Sequence, residues 1–157
     1  MDICIDVGEK HRLNIRAACV IIHQNKILAH HKLNKPHYCL LGGRVEIGED
    51  SQATIKREVL EELGKEIEIT KELGIIENFF QMDGKQYHEI MFIYFAEFVN
   101  EEDRQITHAL QNCEGKSELQ YEWLDLDKIG EYAFLPSKIP EMLKRNMYPL
   151  HEIQRDS

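Results

Sequence analysis

With 157 residues, 28 acidic and 19 basic side chains and a net charge of −9, the chain is sized for a single domain over 1–157, and its acidic balance opposes nonspecific binding to a polyanion. No apolar stretch approaches the ~18–20 residues that a membrane helix requires, and the segment from Met1 to His11 is too acidic and interrupted for a signal peptide, so a cytoplasmic location away from membranes is expected. Cys4, Cys19, Cys39 and Cys113 form no closely spaced pair, which argues against a zinc site or a disulfide framework and for reduced thiols, with Cys19 and Cys39 in the core.

Leu13 to His23 is a β-branched, apolar run that predicts a buried strand, and Gln24-Asn25-Lys26 is a polar break before ILAHH, so a hairpin is expected. Arg16 lies just inside the first run, suited either to reach a substrate phosphate or base from the strand end or to form a structural ion pair. His30 and His31 are strand neighbours and point to opposite faces, so at most one can join a given site; solvated positions suit them best. A polar segment from Lys32 to His37 leads to Gly42 and Gly43, where the missing side chains permit either a tight turn or close approach of the backbone to a ligand.

Asp50 and Ser51 are N-cap residues, and the stretch to Leu63 predicts a helix that Gly64 stops. Glu58, Glu61 and Glu62 stand at i, i+3 and i+4 and share an arc of ~100°. Ala53, Val59, Leu60 and Leu63 fall on the roughly opposite side, as in a helix that packs an apolar stripe and turns its glutamates outward. Like charges at these spacings repel by roughly a few tenths of a kcal/mol per pair. A solvated acidic surface is one outcome; the other is neutralisation by a hard divalent ion, which takes carboxylate, water and phosphate oxygens.

Beyond the helix, Glu66 to Phe80 and His88 to Phe98 flank the turn Met82-Asp83-Gly84-Lys85 and predict two long paired strands. Phe79, Phe80 and Tyr87 near that turn are candidates to stack on a nucleobase or to pack across strands. Asn100 to Lys116 is polar and poorly periodic, as in a mobile loop, and Leu119, Tyr121 and Trp123 then alternate with polar residues as in a half-buried strand. Ile139, Met142 and Leu143 suggest a short last helix ending at Lys144 and Arg145, with a frayed tail after Pro149. Strands, glycine turn, helix, more strands and a final helix together predict an α/β sandwich with a mixed sheet.

The spacing of the glycines and charges is more specific than any one of them. Gly43, then five residues, Glu49, then seven residues, Arg57-Glu58-Val59, one residue, Glu61-Glu62, one residue and Gly64 resembles the Nudix box. Lys65 stands where the family has an apolar residue, and Leu41 where it usually has proline; neither change removes a carboxylate.

The resemblance implies the Nudix fold, an α/β/α sandwich with a central mixed sheet, and a MutT-like hydrolase that uses Mg²⁺ or Mn²⁺. It implies attack of water on a pyrophosphate linkage in a nucleoside triphosphate, a nucleotide sugar or a dinucleoside polyphosphate. Carried over by position, Glu58 and Glu62 are the leading metal ligands, Glu61 and the Gly42 carbonyl are further ligands, and Glu58 doubles as candidate base. Glu49 and Arg57 form an ion pair that orients the helix, and a fourth carboxylate is expected from before Trp123: Glu118, with Glu114 and Glu122 behind it.

The family's ADP-ribose enzymes often carry a proline some way past the box, whereas this chain has none between Pro36 and Pro136, which disfavours that substrate. No basic cluster exceeds Lys56-Arg57 or Lys144-Arg145, so a small nucleotide is expected rather than a nucleic acid polymer, its phosphates met by metal ions and Arg16 and its base by Phe79, Phe80 or Tyr87. Dimers are common in the family, so a homodimer is one expected state. The retained helix glutamates favour turnover over the alternative, a Nudix-like domain that senses a nucleotide without hydrolysing it.

Overall fold

Strand β2 (His11–His23) is the axis of the molecule because it is apolar in both directions. Ala17, Cys19 and Ile21 enter one core and Ala18 and Val20 the other, the period-2 alternation of a strand buried on both faces. In the computed structural model, which describes residues 1–106, 110–145 and 147–156, β2 pairs in parallel with β6 (Lys85–Phe98) along one edge. Its other edge is shared in succession by β1 (Cys4–Val7), β4 (Leu41–Arg44) and β3 (Lys26–Lys32).

The full sheet has eight strands, in the order β7 (Leu119–Asp125), β3, β2, β6, β5 (Ile67–Met82), β8 (Leu150–Arg155), with β1 and β4 added beside β2. Helix α1 (Ser51–Leu63) covers the face that carries Cys19, Tyr94 and Phe98, with Ile55, Val59 and Leu63 in that core. The short helix α2 (Ile139–Leu143) and the turn Leu126–Glu131 cover the other face, through Ile129, Ile139 and Met142. This is the expected α/β/α sandwich on a mixed sheet.

Several local expectations are met and several are corrected. The helix has the expected ends, and β5 and β6 pair across the Asp83-Gly84 turn. The hairpin after β2 closes only at Ile22 and His23, because β4 occupies the next positions of that edge and β3 leaves to pair with β7. The tail is not frayed: β8 runs parallel to β5 from Leu150 to Arg155 and buries Gln154. The expected loop from Asn100 to Lys116 opens with a single turn at Glu101–Arg104 and lies partly outside the described residues. Lys65, the departure from the family pattern, pairs with Asp103 in that turn.

The helix is also rotated from its expected setting. Ala53 and Leu60 are exposed, while Thr54, Ile55, Val59 and Leu63 form the buried stripe and take Glu62 with them. The acidic face therefore does not point wholly outward. One edge of it is turned into the protein.

Candidate active site

Helix α1 is fixed at both ends before any charge is considered. Asp50 Oδ1 accepts a hydrogen bond from the Ala53 amide, and Gly64 closes the C-terminus in the left-handed conformation with its amide on the Leu60 carbonyl. Arg57 then ties the helix to the loop before it. Its Nε and Nη2 donate to the two oxygens of Glu49 at 2.9 and 3.0 Å, and Nη2 also reaches the Arg44 carbonyl of β4 at 3.2 Å. Nη1 donates to Glu58 at 2.9 Å and to Glu61 at 3.2 Å, so one guanidinium serves three carboxylates. The Arg57 hydrogen bonds hold the Glu49 carboxyl down at about 2.

The glycine pair has two separate jobs. A methyl group at Gly42, where φ is +147°, would overlap the Ala17 carbonyl of β2, so glycine there lets β4 lie close against β2. A methyl group at Gly43 would overlap the Glu58 carboxylate, so glycine there opens the space into which Glu58 projects. Burial raises the proton affinity of Glu58 despite its contact with Arg57. Glu62, at 7% exposure, is pushed up to about 7 by burial first and then by the charges of Glu58 and Glu114, opposed by the charge of Lys116 and by a 3.4 Å hydrogen bond from Tyr121 Oη.

The carboxylate from outside the helix whose charge reaches both Glu58 and Glu62 is Glu114. Its segment is anchored by the Cys113 amide on the Glu62 carbonyl at 2.7 Å, and by Asn112 Oδ1, which accepts from the amides of Glu114 and Lys116. Asn112 also donates to Tyr121. The leading candidate, Glu118, instead lies where its carbonyl pairs with the Leu33 amide, and it is not among the charges acting on Glu58 or Glu62. Glu122 is committed to His31 and Tyr38. Neither histidine is a solvated surface residue: His30 packs against Tyr121, and its burial lowers its pKa to about 4.

A cavity of about 310 Å³ opens on the side of β2 that carries Ala18 and Val20. Arg16, Phe80 and Tyr87, candidates for substrate contact, line it together, with the two aromatic rings stacked at 4.8 Å. Phe79 does not. Adjacent residues of a strand face opposite ways, and Phe79 lies on the other side of β5 between His88 and the guanidinium of Arg155 at 4.1 Å. Arg44, the register partner of Arg16, joins it in the lining. The deep part of the cavity contains Asn14, Asn78, Glu89 and Gln154, all buried.

A NUDIX domain family model matches residues 13–146. The chain belongs to the NUDIX family. Solved Nudix structures share the fold: a MutT Nudix hydrolase of Burkholderia pseudomallei is 20% identical with a TM-score of 0.63, over 86% of this chain and 98% of that one. A MutT protein of Bacillus halodurans is 19% identical with a TM-score of 0.62, over 90% of each chain. An ADP-ribose pyrophosphatase of Streptococcus suis is 14% identical with a TM-score of 0.60, over 90% of this chain and 98% of that one.

Nudix hydrolases generally use divalent metals, and the residues present suit such an ion. Glu58, Glu61 and Glu62 are oxygen donors of the kind a hard cation prefers, the space beside Gly43 leaves Glu58 room to turn, and Glu62 is buried with no ion pair among the described residues, only the charge of Lys116 acting on it. Among the described residues no three acidic, histidine or cysteine side chains converge as a ready-made cage, since Arg57 draws Glu58 and Glu61 toward itself. Of the cavity-lining residues missed in the sequence, Asn14, Asn78 and Glu89 did carry a signal. Each is a polar residue at an inward position of an otherwise apolar strand, in line with Ala18, Ile76 and Met91.

Proposed function

We propose that this Nudix hydrolase cleaves the pyrophosphate linkage of a small nucleoside diphosphate derivative, a nucleoside triphosphate, nucleotide sugar or dinucleoside polyphosphate, with Mg²⁺ or Mn²⁺ as cofactor. The observation that carries this reading is the crowd of helix carboxylates left short of positive charge, with Glu62 buried beside Glu58 and Glu114. Glu58, Glu61 and Glu62, with the Gly42 carbonyl, are the groups that would hold the ion. When bound, a divalent ion neutralises phosphate oxygens and activates or orients water.

The chain's own groups supply the rest. The Arg44 carbonyl is bonded to Arg57 while the Arg44 side chain lines the cavity with Arg16, so strand β4 stands between the carboxylates and the cavity. Arg16 and Arg44 are register partners that both line the cavity, and although Arg44 also pairs with Asp2 at 3.6 Å, two arginines on one wall suit the phosphates of a substrate. The cavity behind them takes the nucleoside, with Phe80 and Tyr87 as its aromatic wall. Glu58 is the candidate base, Glu114 takes the place of Glu118 as the leading acid from beyond the helix, and Arg57 with Glu49 positions Glu58 and Glu61.

A small nucleotide suits these groups better than a polymer, because the net charge of −9 leaves little to bind a long polyanion. Among the described residues no helix is long and apolar enough to cross a membrane, and a cytoplasmic enzyme, as monomer or homodimer, fits this reading. The test is a panel of nucleoside triphosphates, nucleotide sugars, dinucleoside polyphosphates, ADP-ribose and a triphosphate-ended oligonucleotide, with Mg²⁺, with Mn²⁺ and with chelator. Metal-dependent release of a nucleoside monophosphate or pyrophosphate from a small nucleotide is expected. Tight nucleotide binding with no turnover would replace this reading with a sensing domain, and preference for the oligonucleotide at physiological salt would overturn the small-molecule assignment.

A further inference from the structure

The deep end of the cavity is built around a buried carboxylate. Glu89 of β6 is 3% exposed and accepts from Asn14 Nδ2 of β2 at 2.6 Å and from Asn78 Nδ2 of β5 at 3.3 Å. The carboxylate fixes how both amides point, because turning either oxygen toward it would set acceptor against acceptor. Asn14 Oδ1 and Asn78 Oδ1 are consequently buried with no hydrogen-bond partner, although both side chains line the cavity. A buried acceptor left unpaired is costly, and two around one carboxylate mark a place where a ligand's donors are missing. Gln154, the remaining buried polar residue there, spends its own carbonyl oxygen on the Lys138 amide.

The deep end therefore offers acceptors, and the Arg16 and Arg44 end offers donors and positive charge. Asn14 and Arg16 are successive inward residues of β2, ~7 Å apart along the strand, so one nucleotide can span both ends. Among the ordinary bases, only guanine presents two adjacent donors, its ring N1–H and its 2-amino group, to a carboxylate. Adenine and cytosine put a ring acceptor beside their amino group, and uracil flanks its single N–H with two carbonyls.

We infer that Glu89, held by Asn14 and Asn78, is a specificity-determining residue that selects a guanine base. Its carboxylate accepts the N1–H and one hydrogen of the 2-amino group while an asparagine oxygen receives the second 2-amino hydrogen, and the base lies against Phe80. No proton changes hands, so the base needs only its ordinary neutral form. This inference rests on the proposed nucleotide hydrolase reading, and it names the base that reading leaves open.

Two measurements separate the inference from the reading on which it rests. Calorimetric binding of GMP, IMP, AMP and ribose 5-phosphate reports base selection without hydrolysis, and kcat/KM for GTP, ITP and ATP reports it with turnover. GMP is expected to bind at least ~10-fold tighter than IMP, which lacks the 2-amino donor, and IMP tighter than AMP, with the triphosphates in the same order. Glu89→Gln should lower kcat/KM for GTP by ~10-fold or more and narrow its margin over ATP. If that variant fails to fold, the wild-type series decides alone. Hydrolysis with equal rates for GTP and ATP, or ribose 5-phosphate binding as tightly as GMP, would overturn the guanine assignment and leave the hydrolase intact. Guanine-selective binding without turnover would do the reverse, and neither binding nor turnover would overturn both.

Discussion

Two glutamates are buried on opposite faces of the same sheet, and the chain treats them in opposite ways. Glu89 is 3% exposed and receives an amide from each neighbouring strand, so its charge is answered from within the fold. Glu62 is 7% exposed and faces Glu58 and Glu114, with one long hydrogen bond from Tyr121 and the charge of Lys116 as its support. Burying a carboxylate without partners costs several kcal/mol or forces it to take up a proton, and Glu62 does the latter, its pKa pushed up to about 7. On the proposed reading the completed carboxylate serves recognition, where the ligand meets a fixed pattern, and the uncompleted one is finished by a cation.

The comparison breaks most visibly in turnover. Glu58→Gln or Glu62→Gln should lower kcat by at least ~10²-fold, or ~2.7 kcal/mol, while leaving the chain folded, because a neutral amide cannot do what a metal-binding carboxylate does. Since Glu62→Gln removes a buried carboxyl whose ionisation burial opposes, its thermal midpoint at neutral pH should hold or rise. Near-normal turnover by both folded variants would sink the assignment of these carboxylates. Glu118→Gln should leave turnover and metal dependence unchanged and Glu114→Gln should not, since only Glu114 acts on the helix pair.

The paired glycines sharpen the division between what holds the sheet and what opens the site. Gly42→Ala drives a methyl into the Ala17 carbonyl at a positive φ and should cost ~1–3 kcal/mol of stability. Gly43→Ala meets only the flexible end of Glu58, which can turn away, so stability should hold while kcat falls by about 10-fold or more. Unfolding curves and steady-state kinetics on both variants check the contrast, and equal loss of stability in both would show that Gly43 is kept for packing.

What the sequence made legible was whatever is local. The cap at Asp50, the stop at Gly64 and the eight-residue separation of Glu49 and Arg57 are set within one turn and one helix, and the structure has all three. Glu89 could not be found that way. Its partners Asn14 and Asn78 come from strands that meet β6 only in the folded sheet, Asn14 through a parallel register between residues 75 apart. The same limit hid β8, whose pairing with β5 depends on a partner far upstream. Phe79 was a different error: strand alternation admits only one of two neighbouring aromatics to a face, and no local signal says which.

Arg57 is where the two electrostatic regimes meet, since it completes Glu49 and partly completes Glu58 and Glu61. In a double-mutant cycle, Arg57→Ala and Glu49→Ala should couple by about 1–2 kcal/mol, because the two are joined by a pair of charge-assisted hydrogen bonds in a half-buried setting. Additive losses would mean that the two do not act together. Activity should fall with Arg57→Ala as well, because Glu58 and Glu61 lose the group that orients them.

The last effect is a slope, and its sign distinguishes a carboxylate raised by burial from one lowered by an ion pair. Glu62 is raised from an ordinary 4.5 to about 7 in the folded chain. Between those values the metal-free folded state keeps a proton that the unfolded chain has released, so stability from this group falls as pH rises, by up to ~1.4 kcal/mol per pH unit, and levels off above about 7. Glu49 runs the other way: lowered to about 2, it contributes stability above 4.5 that is lost as pH falls toward 2. Urea unfolding of the metal-free protein between pH 5 and 8 therefore samples Glu62 with Glu49 fully ionised. Wild type should be more stable at pH 5.5 than at pH 7.5 by more than Glu62→Gln is, and saturating Mg²⁺ should shrink that difference by favouring the ionised carboxylates. Identical pH profiles for wild type and Glu62→Gln would mean that Glu62 finds its partner within the fold after all, and that the contrast with Glu89 is one of geometry alone.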